Sequence, residues 1–415
     1  MGPGYASKVH TAPTAPPAHA PPAMPRPGVH LSYDFRVEPQ SGAGVENPLF
    51  DLLSALERQG SIRHAAQALG CSYRHAWGAL RDWERRLQRP LVDWAQGRQA
   101  KLTPFAQRLL WAERRARARL APHIEALRSE LERAFALADD PQLELLDLAA
   151  SHDLALPALV ALAEREHGLH LALHFTGSTQ ALQALAEGRC SVAGFHVPRL
   201  ASPSPVFERA LGPLLRPGAH NLVGSHWRRQ GLMLRRDQPW PAPGAGAGLA
   251  ATLAPLAQRG LRWVSRQAGS GTRLLAEHLL AQAGLDARSV DGWDRHVEPT
   301  HVALASAIAA GAADVGLGLE AAAAAFGLAF VPLVVEDYHL VCLKPALESP
   351  ALQRLRQTLA GPGGAQALTA LPGYGAQRPG EVLSLTRALP WWRFDAPRRR
   401  RRVAARQPAP QPAAD

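Results

Sequence analysis

The chain has 415 residues, 47% of them hydrophobic, enough for two or three packed domains. Its formal charge of +11 is uneven: residues 47–135 carry 16 Lys/Arg against 9 Asp/Glu, residues 397–415 carry 6 against 1, and residues 136–396 carry 21 against 22. A basic unit ahead of a near-neutral one points to nucleic acid for the first and a small ligand for the second, while three scattered cysteines exclude a disulfide framework or a cysteine metal site.

Residues 1–46 are rich in Pro, Ala and His and cannot bury a core, so a disordered tail is expected. His10, His19 and His30 are too widely spaced in such a tail for a metal site. No charged n-region precedes an apolar h-region, and no apolar run approaches the ~20 residues of a membrane span; the expected location is cytoplasmic, without a membrane partner.

Apolar residues at helical spacing begin at Asn47 (Leu49, Leu52, Leu53, Leu56) and stop at Gly60. Ser61 caps a second helix, IRHAAQALG, and Ser72 caps a third, YRHAWGALRDWERRLQ, with Ala76, Leu80, Trp83 and Leu87 facing inward. Two short helices, a tight Gly-containing turn and small alanines at the crossing predict a helix-turn-helix. In that geometry Ser61, Ser72, Tyr73, Arg74 and His75 meet the major groove, and Arg81, Arg85 and Arg86 meet phosphates. The stretch LVDWAQGRQAKLT then predicts a β-hairpin wing with Arg98 and Lys101 at its tip. From Thr103-Pro104 to about Ala138 a long helical stretch follows, which Pro122 is expected to break in two. Its narrow seam of Leu109, Ala116, Leu120, Ile124, Leu127 and Leu131 favours packing on a second copy, hence a homodimer.

The segment GSIRHAAQALGCSYRHAWGALRDWERRLQRPLV, with its wing and LTPFAQRLL, resembles the winged helix-turn-helix of molybdate-responsive ModE-type regulators. That fold is shared with LysR-type regulators, and Ser72, Tyr73, Ala76 and Trp77 lean toward the ModE side. The resemblance covers roughly residues 47–137 and implies a double-stranded DNA operator as partner.

From Leu143 the pattern alternates strand and helix: LELLDLAA, then SHDLALPALVALAEREHG, HLALHFTG, STQALQALAEG and SVAGFHV. Such alternation predicts a parallel sheet covered on both faces. Ser151-His152-Asp153, Gly177-Ser178-Thr179 and His196 fall where strands hand over to loops, the usual place for ligands. NLVGSHWRRQGLML crosses to a second lobe, and EDYHLVCLK, Glu336 to Lys344, returns. Between them LRWV leads into Gly269-Ser270-Gly271-Thr272-Arg273 and a helix, which together make an anion cradle of backbone N–H groups, hydroxyls and a helix N-terminus. Arg273 is either a ligand contact or a brace for the loop. Thr300 caps the next helix, which ends at Gly311.

On RQAGSGTRLL, THVALASAIAAGAADVGLGLEAAAAAFGLAFVPL and EDYHLV, residues 143–390 look like the periplasmic-binding-protein-like domain found fused to ModE-type units. The resemblance implies an oxyanion ligand, molybdate or tungstate, or a molybdopterin-type anion. Its contacts would be Ser270, Gly271, Thr272 and Arg273, then Ser151, Ser178 and Thr179, with Arg266, Thr300, His301 and Tyr338 behind them. The chain lacks the SARNQ-like modules through which ModE-type regulators sense molybdate, so the ligand is inferred from the domain's company.

The expected architecture is multi-domain: a tail (1–46), a winged helix-turn-helix (47–103), a linker and dimerisation helix (104–140), an α/β two-lobed type II periplasmic-binding-protein-like clamshell (141–395) and a basic tail (396–415). No cofactor, metal or catalytic residue is expected; Ser151-His152-Asp153 are adjacent and cannot form a relay. The function so read is a one-component, non-enzymatic transcription regulator sensing an oxyanion. Its alternatives are a molybdenum-cofactor biosynthesis or carrier protein, a LysR-type sensor of another small anion, and an oxyanion transport receptor, which the DNA-binding half disfavours.

Overall fold

A computed structural model describes residues 47–94, 99–139, 145–201, 204–238, 240 and 249–389. The N-terminal unit is built from α1 (Asn47–Gln59), α2 (Ile62–Ala68), α3 (Tyr73–Leu87) and the antiparallel pair β1 (Val92–Asp93) and β2 (Lys101–Leu102). Gly60 and Gly70 turn the chain at φ 62° and 65°, and the Ser72 hydroxyl accepts from the His75 N–H at 3.2 Å. Leu49, Phe50, Leu53, Leu56, Ile62, Ala65 and Leu80 are buried together with Leu91 and Leu102 of the wing. Glu84 ties the wing to α3 by accepting from the N–H groups of Leu91 (2.9 Å) and Val92 (3.3 Å). Thr103 does the same for the next helix: its hydroxyl donates to the Pro90 carbonyl and accepts from the Ala106 N–H.

That helix, α4 (Pro104–Asp139), runs unbroken for 36 residues with Pro122 inside it. The expected break at Pro122 does not occur. A proline cannot donate to the carbonyl four residues back, but the freed Ala118 oxygen accepts from the Thr300 hydroxyl at 3.3 Å. Tertiary contact supplies the bond that the helix lost.

The ligand domain contains β3 (Leu145–Ser151), α5 (Leu156–His167), β4 (His170–Thr176), α6 (Ser178–Ala186), β5 (Val192–Pro198), α7 (Pro205–Leu211), β6 (His220–Leu234), α8 (Leu249–Gln258), β7 (Trp263–Arg266), α9 (Gly271–Gln282), β8 (Val297–Glu298), α10 (His301–Ala309), β9 (Val315–Leu319), α11 (Glu320–Ala325), β10 (Ala329–Leu343), α12 (Pro350–Ala360), α13 (Pro362–Thr369), β11 (Tyr374–Ala376), β12 (Val382–Leu383) and α14 (Leu385–Ala388). One curled sheet runs β4-β3-β5-β10-β6-β9-β7-β8, with β11 and β12 paired to β6. Within each lobe the pairs β3–β4, β3–β5, β7–β8 and β7–β9 are parallel, as the βαβ alternation requires. The sheet as a whole is mixed, not parallel. The two 15-residue strands β6 and β10 pass between the lobes in opposite directions and pair antiparallel to each other and to their neighbours. The return strand also starts at Ala329, ahead of the expected Glu336, because AFVPLVV pairs with the far end of β6. Buried apolar side chains cover both faces: Leu148, Leu171, Leu304, Ile308 and Leu352 on one, Leu182, Phe195, Phe207, Leu275 and Trp263 on the other.

Candidate functional site

The cleft lies between the ends of β3, β4 and β5 in the first lobe and the loop after β7 in the second. Ser270 is the N-cap of α9, accepting from the Arg273 N–H at 3.2 Å, and Gly269 turns at φ 79°. The two jaws touch: the Thr179 hydroxyl donates to the Gly269 carbonyl at 3.3 Å. His196 of β5 packs so closely on Gly271 that a Cβ there would lie 2.2 Å from its Nε2. Glycine is required at 271 by this approach across the cleft rather than by its own backbone angles.

Strands β6 and β10 form the floor and carry a buried charge network that sequence reasoning missed. The Arg228 guanidinium donates to Asp153 (2.8 Å) and Glu336 (2.9 Å), all three side chains being fully buried. Gln230 donates its amide to Glu336 at 2.6 Å and to the Thr272 hydroxyl at 3.1 Å, linking the floor to the start of α9. Tyr374 donates to Asp153 at 3.0 Å, and His226 Nε2 stands 3.3 Å from the same carboxylate. His226 also lies face to face with Tyr338, whose hydroxyl donates to the Ser151 carbonyl. The available signal was four charged residues, Arg228 and Arg229 in β6 and Glu336 and Asp337 in β10, at the middle of long strands that are apolar toward their ends.

Burial decides the protonation of this floor. It pushes the imidazoles down, His152 to about 3 and His196 and His301 well below their usual range, with the nearby Arg228 and Arg266 adding to the effect. His152, His196 and His301 are therefore neutral hydrogen-bonding groups at pH 7. Asp153 is held far below the ordinary carboxylate range, against its own burial, by His226 and Arg228, whereas burial pushes Glu336 up despite Arg228. Arg266, 4% exposed, donates to the Glu298 and Pro299 carbonyls and, among the described residues, to no other acceptor, and burial pushes it down to about 9.

Several buried polar atoms around this floor have no hydrogen-bond partner among the described residues: Ser178 Oγ, His196 Nε2, Arg228 Nη2, Gln230 Oε1, His301 Nδ1 and Glu336 Oε1. Left so, each costs roughly 1–3 kcal/mol. Such a cluster fits a polar ligand, and it includes Ser178 and His301 from the sequence-based set. Ser151 lies there too, 2.9 Å from His196 Nδ1, as does Thr272, 3.4 Å from His301 Nε2. Arg273 points elsewhere. It pairs with Asp294 at 2.6 Å and Glu277 at 3.3 Å, donates to the Trp293 carbonyl and stacks 3.9 Å from the Trp293 ring. Thr300 is turned to α4 and to its own helix, whose Ala303 N–H it caps at 3.0 Å.

Helix α4 lies across the mouth of the cleft. A cavity of about 340 Å³ there is bounded by Phe175 and Gln180 of the first lobe, Gln267 and Pro299 of the second, and Pro122 and His123 of α4. Among the described residues no group of three or more His, Cys, Asp or Glu is placed to hold a metal ion. No helix among them is long and apolar enough to cross a membrane.

On the N-terminal unit, Tyr73 is 53% exposed at the start of α3 with Arg74 and His75 exposed beside it. Arg81 stacks on Trp77, 4.7 Å from the ring, and pairs with Glu84, while Arg85 and Arg86 share Asp82. Ser61 precedes α2 without a side-chain cap bond, and Lys101 is exposed on β2. Arg98, the tail histidines, Trp391-Trp392 and the arginine run 398–402 lie outside the described residues. On α4, Leu120, Leu127, Leu131 and Phe135 are 41–54% exposed.

Comparison with known proteins gives two family matches: the helix-turn-helix of lysR-family bacterial regulatory proteins over residues 49–107, and a PBP superfamily domain over residues 159–360. The helix-turn-helix match is thus to the lysR family. A protein from the ferredoxin 2Fe-2S gene 5′ region of Clostridium pasteurianum, described as uncharacterized, is 31% identical over 112 residues, 27% of this chain and 97% of that protein. YvgK of Bacillus subtilis, likewise described as uncharacterized, is 26% identical over 212 residues; the match spans half of this chain and 64% of that protein, just under two thirds of its length. Among solved structures, a Corynebacterium glutamicum OxyR mutant with bound H2O2 aligns over 78% of this chain and 92% of its own at 14% identity and a TM-score of 0.41. The tungstate ABC transporter from Geobacter sulfurreducens aligns over 55% and 98% at 17% identity and a TM-score of 0.42.

Proposed function

We propose that this chain, which belongs to one family with the clostridial protein and joins a lysR-family helix-turn-helix to a PBP-superfamily domain, is a cytoplasmic one-component transcription regulator whose cleft senses a small oxyanion. The observation that carries the sensing half is the set of buried, partnerless polar atoms at the cleft floor, contributed by both lobes and both crossing strands. Arg266 supports a negative ligand, because it is a buried cation with no carboxylate, among the described residues, within hydrogen-bonding reach of its guanidinium. Neutral imidazoles, hydroxyls and the α9 N-terminus suit an oxyanion such as molybdate or tungstate, which is held by many uncharged donors. With Arg273 engaged by Asp294 and Glu277, the reason for preferring a larger phosphate-bearing molybdopterin weakens.

DNA is read by the start of α3, with Tyr73, Arg74 and His75 toward the major groove and the wing beside it. Two copies joined along the exposed α4 seam bind a pseudo-palindrome with half-sites about one helical turn apart or a multiple of it. Closure of the cleft on its anion shifts DNA affinity by a coupling of ~1–3 kcal/mol. No chemistry is required. The test is electrophoretic retardation of the protein's own promoter DNA over a salt series with and without molybdate, tungstate, sulfate and phosphate. Retardation that falls with salt and responds to one of the anions is expected; no retardation at low salt would sink the regulator reading.

A further inference from the structure

Helix α4 is bonded to three separate bodies. Toward its start, Arg114 donates to Ser54 (3.1 Å) and pairs with Glu57 (2.7 Å) on α1 of the helix-turn-helix. One residue on, Arg115 and Arg119 both reach the fully buried Glu298 of the second lobe, at 2.7 and 2.6 Å. The Ala118 carbonyl that Pro122 sets free is taken by Thr300, two residues beyond Glu298. Further along, the Ser129 hydroxyl accepts from the Leu173 N–H of the edge strand β4 at 3.1 Å, and Arg133 pairs with Asp147 of β3 at 2.5 Å. The helix is thus clasped to the second lobe over residues 115–119 and to the first over residues 129–133. A rigid rod spanning about 21 Å from Arg115 to Ser129 joins the two clasps. Between them Pro122 and His123 face the cavity at the cleft mouth. A change in lobe separation cannot be absorbed within the helix and must move it or break one clasp.

We propose that α4 is the third wall of the ligand pocket: an anion lodged at the mouth of the cleft touches His123 as well as the two lobes, and so sets the position of the helix that carries the DNA-reading unit. This rests on the anion-sensor reading above. Ligand then acts on the linker directly, by contact, in addition to any change in lobe angle. His123 is the hydrogen-bonding group on this wall. The Glu298 clasp holds the wall in register with the Arg266 side, because Arg266 donates to the Glu298 and Pro299 carbonyls on the opposite edge of the same segment.

The experiment is hydrogen exchange by mass spectrometry on the full-length protein with molybdate, tungstate and phosphate as separate probes. Expected is protection of the cleft segments 151–153, 177–180 and 267–273 together with the helix segment 117–125. In an Arg115→Gln/Arg119→Gln double variant the cleft stays protected and the helix loses its protection. His123→Ala, a change at an exposed position, should weaken probe binding about fivefold, the worth of one hydrogen bond. Protection of the cleft segments with 117–125 unchanged, or full affinity in His123→Ala, would overturn the third wall while leaving the anion sensor intact. Absence of protection anywhere with all three anions would overturn both.

Discussion

Replacing Gly271 with alanine should hold the cleft open. An ideal Cβ at this position lies 2.2 Å from His196 Nε2 and 2.5 Å from its Cδ2, whereas nonbonded heavy atoms settle at about 3.5–4.0 Å. One side must give by more than about 1 Å. The ring cannot yield cheaply, since Ser151 Oγ sits 2.9 Å from its Nδ1 and Tyr338 stacks behind it. Gly271 does not use a positive φ, and alanine at the first turn of α9 is otherwise neutral or favourable. The clash therefore falls on the closed state alone. Overpacking of this kind costs ~1–3 kcal/mol, which shifts the closure equilibrium, and with it anion affinity, by roughly 5- to 150-fold. Small-angle scattering of the full-length protein reports closure, and calorimetry reports affinity. His196→Ala supplies the control: on that background, adding Gly271→Ala should cost nothing further in closure, the pairwise signature of contact. Scattering identical to the unsubstituted protein, or an equal cost of Gly271→Ala with and without the His196 ring, would refute the reasoning.

Four other outcomes follow from contacts already described. The folded pKa values of His152 (about 3) and His339 (about 4), with His196 and His301 also well below normal, lie under the unfolded value of ~6.5. The unfolded chain thus binds more protons between those limits, and stability present above pH 6.5 is lost as pH falls, by up to ~1.4 kcal/mol per pH unit for each group. Urea midpoints at pH 7 and pH 5 measure this, and equal midpoints would contradict neutral buried imidazoles. Arg228→Met leaves Asp153 and Glu336 buried without their shared cation and should destabilise by ~3–5 kcal/mol, partly recovered by adding Asp153→Asn; denaturant melts decide. Arg74→Ala should weaken DNA binding about equally for specific and nonspecific sequences and lower the salt slope by about 1 if it contacts phosphate, or relax specificity at one position if it reads a base. Leu127→Glu with Leu131→Glu, on the exposed α4 seam, should convert a dimer to a monomer in sedimentation, and an unchanged dimer would place the interface elsewhere.

The N-terminal unit was the more legible half because its signals are local. The cap at Ser72, the stops at Gly60 and Gly70 and the alanine crossing are all decided within a few residues of each other, although Ser61 starts α2 without the side-chain bond expected of it. The turn at Gly269 and the cap of α9 at Ser270 were legible for the same reason. What sequence reasoning missed was decided at a distance. Pro122 lowers helix propensity whichever partner it later meets, and only Thr300, 178 residues on, fills the gap it makes. Arg273 reads equally as an anion contact and as a brace for the loop until Trp293 and Asp294 are seen to claim it. Arg228 and Glu336 carry no motif and gain meaning only because β6 and β10 bring them side by side, with Glu336 directly opposite Arg228 in the register.

The two long crossing strands also fix the order in which this chain can become a protein. Strand β5 finds its second neighbour in β10, with Val192 opposite Cys342, so the first lobe stays unfinished until the chain has been made as far as β10. On the ribosome the helix-turn-helix, whose contacts are nearly all local, closes long before its sensor does. For an interval each nascent chain holds a complete DNA-reading unit beside an open edge strand of apolar sequence. A chain truncated between β6 and β10 would be fixed in that state, competent for DNA, blind to its ligand and exposed to aggregation along β5.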